Sequence, residues 1–83
     1  MNREAVKIVV VKHLVAAVDT LDASKVDTSM SMKDLGANSL DIVEVVSAAM
    51  RELKIKVPRS ELSKLTNVDQ LIDLLHRTTE AAA

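Results

Sequence analysis

Apolar side chains at Val68, Leu71, Ile72 and Leu75 recur at i, i+3, i+4 and i+7, the spacing of one face of an α-helix. Thr66, with Asp69 three residues on, has a capping-box pattern with Asp in place of Glu and predicts that this helix opens there. A first helix is predicted from about Arg3 to Val18, with a core stripe of Val6, Val9, Val10, Leu14 and Ala17. Asn2 suits its N-cap, and Glu4 lies in the first turn, where the helix dipole favours an anion. The β-branched run Ile8-Val9-Val10-Val11 would also suit a strand, but no second run of that quality exists to pair with it. Another helix is expected from near Ser39 to near Leu53, with Asn38 as N-cap and Asp41 completing a capping box. Lys54-Ile55-Lys56-Val57 then alternates, Pro58 disfavours a helical Val57, and a short helical turn follows over about Arg59 to Ser63.

The 83 residues hold a single Gly and a single Pro, too few for the tight turns of an all-β fold. Hydrophobic content of 48% argues against disorder. The expectation is all-α, one domain over residues 1–83, with a core about 3–77 and a frayed tail over 78–83. No Cys is present, which excludes disulfides and Cys-based zinc sites. His13 and His76 are too few and too far apart for a metal cage, and no chemistry is expected of either. An aromatic content of 0% and a net charge of −1 leave neither stacking platforms nor a basic footprint for nucleic acid. The longest aliphatic run near the start, Ile8 to Val11, is far short of a membrane span or a secretory h-region. A cytoplasmic protein is expected, and the opening Met1 leans toward a free-standing chain.

The connection from Asp19 to Asn38 is longer than the ~12–15 residues beyond which structureless loops become uncommon. Leu21, Val26, Met30, Met32 and Leu35 are spaced to dip back into a core, so a packed or functional loop is expected. Ile8, Val11 and Val15 are surplus on the first helix; burial against this loop or self-association would use them.

On the second long helix the apolar arc is wider than one buried face requires. Asp41, Glu44, Ala48 and Arg51 are read as the solvent side, and Ile42, Val45, Val46, Ala49 and Leu53 as the buried flank. Leu40, Val43 and Met50, on the flank that also holds Ser47 and Lys54, are then at least partly exposed beside two carboxylates. Such a strip resembles a docking surface, although small helical domains always show some Leu and Val outside.

Asp34-Leu35-Gly36-Ala37-Asn38-Ser39-Leu40-Asp41 places Ser39 at a helix start just after the only Gly. A phosphodiester on that oxygen would meet the positive end of the helix dipole and its free N–H groups, and Gly36 lets the turn before it bend tightly. A plain helix cap is the competing reading. A serine nucleophile would need a nearby base and an oxyanion hole. Only His13 and His76 are on offer, and no G-x-S-x-G elbow is present, so no catalytic residue is expected.

Taken with the helix-one spacing, the long loop, Val57-Pro58 and the capped last helix, this segment makes the chain resemble an acyl carrier protein from Val6 to Leu75. The resemblance implies a four-helix bundle of acyl-carrier type with a long first loop and a short third helix. It implies that Ser39 carries a 4′-phosphopantetheine arm whose thiol holds acyl groups as thioesters. The chain would then be a covalently modified co-substrate and not an enzyme. It further implies docking of a phosphopantetheinyl transferase on helix two, with Leu40, Asp41, Val43, Glu44, Ser47 and Met50 as partner contacts. Two departures stand out. Asn38 replaces the Asp that usually precedes the modified Ser. Met50, Arg51, Lys54, Lys56 and Arg59 occupy a stretch that is strongly acidic in fatty-acid carriers. Because charge chiefly sets partner choice, the chain is more similar to stand-alone carriers of bacterial polyketide pathways. Gly36 to Val46 and Lys54 to Pro58 resemble donor carriers that pass an acetyl unit to an HMG-synthase-like β-branching enzyme. An acyltransferase or ketosynthase-like decarboxylase would supply the acetyl-thioester, and the carrier would act as a monomer. A peptidyl carrier with aminoacyl cargo remains open, as does a small helical adaptor in which Ser39 only caps a helix.

Overall fold

The structure, a computed structural model, describes residues 2–82. It is all helical among those residues: α1 (Arg3–Ala17), α2 (Ser39–Leu53), α3 (Arg59–Leu62) and α4 (Val68–Ala82), with a short 3-10 turn at Ala23–Lys25. α1 packs against both α2 and α4. The core is their shared apolar face: Val6, Val10 and Leu14 of α1, Val45 and Ala49 of α2, and Val68, Leu71, Ile72 and Leu75 of α4 are all fully buried. The period-3.6 stripes predicted for α1 and α4 are therefore the faces that pack, apart from Ala17, which lies half-buried at the rim.

Each long helix is bounded by a local device. Asn2 Oδ1 accepts the Ala5 N–H at 2.8 Å and opens α1. α2 closes on Lys54, which takes a left-handed conformation (φ 58°), with the Ile55 N–H donating to Met50 O at 3.0 Å. This turn buries Ile55 and leaves Lys54 and Lys56 exposed, as the alternation in the sequence implies. Arg3 ties α1 to α4 through Asp73 at 2.6 Å and Asp69 at 3.2 Å. Lys12 and His13 of α1 meet Glu52 of α2 at 2.7 Å and 2.9 Å. The Lys12 ammonium, and after it His13, hold the Glu52 carboxyl below its ordinary pKa. His76 pairs with Glu80 one turn on, at 3.2 Å.

Three expectations are corrected. α4 opens on Asn67 and not on Thr66: the Gln70 N–H donates to Asn67 Oδ1 at 2.8 Å, while Thr66 donates its own N–H to the Gln70 side chain. Asp69, expected to complete the cap, faces Arg3 instead. The first N–H groups of α4 are taken by the long loop, Val68 donating to Met30 O at 3.0 Å and Asp69 to Thr28 O at 2.8 Å. These bonds fix the start of the helix one residue later than the sequence pattern does. The helix also runs through Ala82, so residues 78–82 are helical where a frayed tail was expected, and Ala83 lies outside the described residues. Hydroxyls of Thr78 and Thr79 donate back to Leu74 O and His76 O, at 2.8 Å and 2.7 Å, and stay bonded within the helix.

The third correction concerns the loop and the surplus residues of α1. Leu21, Val26, Met32 and Leu35 pack against the core as predicted, but Met30 is exposed, because its backbone and not its side chain makes the contact with α4. Val11 and Val15 are half-buried, whereas Ile8 remains 59% exposed.

Candidate functional site

The start of α2 is built by the tight turn before it. Gly36 N–H donates to Lys33 O, and Ala37 N–H to Met32 O, both at 3.0 Å. Gly36 adopts φ +107°, a conformation that L side chains rarely take. Ala37 is then buried and Asn38 emerges as the N-cap. Asn38 Oδ1 accepts the Asp41 N–H at 2.8 Å, and Asp41 Oδ2 accepts the Asn38 N–H at 3.1 Å, a complete capping box. The cap therefore uses Asn38 and leaves Ser39 out of it.

Ser39 is exposed, and among the described residues its hydroxyl makes no hydrogen bond to protein. The N–H groups of Ser39 and Leu40 likewise have no protein acceptor there, as is normal in a first helical turn. An open depression of about 370 Å³ lies beside the hydroxyl, lined by Lys33, Gly36, Ala37, Asn38, Ser39 and Ile42. A free hydroxyl, two free donors, a lysine and open space fit a phosphodiester with a long flexible substituent. They do not fit a serine nucleophile, because neither His13 nor His76 lines the depression.

Of the residues expected to meet partners, Leu40 is 80% exposed and Val43 56% exposed, with Glu44 exposed beside them. Ser47 is half-buried one turn further on. Asp41 is half-buried and its carboxylate is turned to the cap. Met50 is half-buried on the same flank as Val43 and Ser47, and all three line a cleft of about 490 Å³ between α2 and α3 that Ile42, Val46 and Leu62 also line. The solvent side of α2 is thus rotated from the predicted one. Ala48 is half-buried near Ala16 and Ala17 of α1, and the exposed residues along the middle of α2 are Leu40, Val43, Glu44 and Arg51. Leu40 and Arg51 lie eleven residues apart, which places them on one side of the helix about 16 Å from each other. The sequence reading missed Lys33 as a neighbour of Ser39; its position depends on the fold of residues 31–37, which helical periodicity does not report.

Residues 9–75 match the family model described as phosphopantetheine attachment site. An acyl carrier protein of Campylobacter hominis is 41% identical over 69 residues, covering 83% of this chain and 82% of the relative. The chain belongs to the acyl carrier protein family. An acyl carrier protein of Clostridium acetobutylicum is 35% identical over 84% of this carrier and 92% of its own length. The polyketide biosynthesis acyl-carrier-protein AcpK of Bacillus subtilis is 26% identical, but over 99% of this chain and all of its own. The carrier accordingly bears a covalently attached 4′-phosphopantetheine and works with a phosphopantetheinyl transferase and biosynthetic enzymes. No helix among the described residues is long and apolar enough to cross a membrane.

Proposed function

We propose that Ser39 is the attachment residue and that the carrier delivers acetyl units in a polyketide pathway, to an HMG-synthase-like β-branching enzyme. The observation that carries the assignment of Ser39 is its exposed hydroxyl, free of the capping role that Asn38 fills, beside an open depression. When attached, the arm supplies a thiol that holds acyl groups as thioesters. The protein's own contribution is presentation. The capping box fixes the start of α2, so the anchor oxygen sits on a rigid element, and Leu40, Val43, Glu44 and Ser47 offer an apolar strip with one carboxylate to an approaching enzyme. Asp41 would add charge from the cap, and Met50 would meet a partner that reaches over the α2–α3 cleft. The role is that of a carrier and co-substrate, with no catalytic residue.

The polyketide assignment is supported by the end-to-end similarity to the Bacillus subtilis carrier. It is also supported by the cations Arg51, Lys54 and Lys56, exposed at the far end of α2. Complementary charge directs encounter and excludes wrong partners, so a carrier with this half-basic face suits dedicated enzymes better than a general fatty-acid synthase. The donor role is supported by the likeness of Gly36 to Val46 and Lys54 to Pro58 to donor carriers. The test is the mass of the arm adduct on protein isolated from its native host. An acetyl adduct that an HMG-synthase-like enzyme consumes is the expected result, and an aminoacyl adduct would assign the protein to peptide assembly instead.

A further inference from the structure

Lys33 is separated from Ser39 by six positions in sequence, yet both line one depression. The turn that brings them together is closed by backbone bonds: Leu35 N–H is shared between Ser31 O at 3.1 Å and Met32 O at 3.2 Å, Gly36 N–H donates to Lys33 O at 3.0 Å and Ala37 N–H to Met32 O at 3.0 Å. Lys33 is the only cationic side chain lining that depression. It also lines the adjoining depression of about 290 Å³, among Ile42, Val46, Leu62 and Leu65. Lys33 and Ile42 thus border both depressions, the one beside Ser39 and the one next to it. Lys33 is exposed and makes no ion pair among the described residues; neither does Asp34, its neighbour in sequence.

We propose that Lys33 is a positioning residue for the prosthetic arm, pairing through its Nζ with the phosphodiester on Ser39. The inference rests on Ser39 being the anchor. A phosphodiester is anionic throughout the physiological range, and lysine offers it a mobile point charge with three donors. The two free N–H groups at the start of α2 approach the same oxygens from the helix side, and Lys33 approaches from the loop. Held between them, the first bonds of the arm lose freedom, and the arm leaves the anchor in a preferred direction. The pair is exposed, so screening keeps it modest.

The test compares the NMR resonances of the lysine side-chain amines before and after a promiscuous phosphopantetheinyl transferase and coenzyme A have loaded the protein, with intact mass confirming the load. The Lys33 side-chain amine resonance should shift on loading, while those of Lys54 and Lys56 stay unchanged. In the loaded Lys33→Met protein the phosphorus relaxation should report a more mobile phosphodiester, with Lys33→Arg restoring the wild-type value. A loaded protein in which the Lys33 resonance is unmoved, or in which that of Lys54 shifts equally, overturns the pairing and leaves the anchor intact. A protein that takes no arm overturns both.

Discussion

Asn38 and Asp41 exchange hydrogen bonds across the first turn of α2, each side chain accepting the other's backbone N–H, at 2.8 Å and 3.1 Å. That reciprocity frees the hydroxyl between them. A helix whose cap was Ser39 itself would have its anchor oxygen occupied.

The cap can be removed without touching Ser39. Asn38→Ala should lower unfolding free energy by about 1 kcal/mol in a denaturant titration, and Asn38→Asp should leave it near wild type. An Asn38→Ala protein as stable as wild type would show that the box contributes nothing.

Lys54 holds a left-handed conformation that costs an L residue roughly 1–2 kcal/mol. Lys54→Gly should therefore raise stability, by roughly 0.5 kcal/mol once the greater freedom of glycine in the unfolded chain is counted. A drop in thermal midpoint would mean that the exposed Lys54 side chain makes a contact worth more than that strain.

Two leucines separate fold from docking. Leu71 is fully buried, and Leu71→Ala should cost about 2–5 kcal/mol. Leu40 is almost wholly exposed, so Leu40→Ala should change stability by less than about 0.5 kcal/mol. The same variant should raise the KM of the phosphopantetheinyl transferase for the carrier while its circular dichroism stays unchanged. An unaltered KM would remove Leu40 from the partner face.

The long loop carries a pH dependence. The Ser29 hydroxyl and then the Ser29 N–H donate to Asp27 Oδ1, at 2.5 Å and 2.9 Å, and hold its carboxyl below the ordinary pKa. A pKa lowered by folding stabilises the fold above the unfolded value, about 3.9, and that contribution is lost as pH falls through the folded value. The stability advantage of wild type over Asp27→Asn should be constant near neutrality and shrink as pH falls below about 3.9. An advantage that grows on acidification would contradict the assignment.

The limits of α2 were legible because Asn38 and Asp41 form a local signal and Pro58 marks the region beyond it. The packing stripes of α1 and α4 were legible for a similar reason: period 3.6 survives whatever the neighbours are. The cap of α4 was not, since Thr66 and Asn67 are both good caps and distant carbonyls at Thr28 and Met30 decide between them. The outward side of α2 was misjudged by part of a turn, because Ala48 reads as neutral in sequence and is covered only once α1 is in place. Ser39 was found from its motif, whereas Lys33 became visible only with the folded turn.

The most direct measurement is intact mass after incubation with a promiscuous phosphopantetheinyl transferase and coenzyme A. Wild type should gain the mass of a single arm, and Ser39→Ala, folded to the same helicity, should gain none. An unmodified wild type, or a Ser39→Ala protein modified as fully as wild type, would contradict the account.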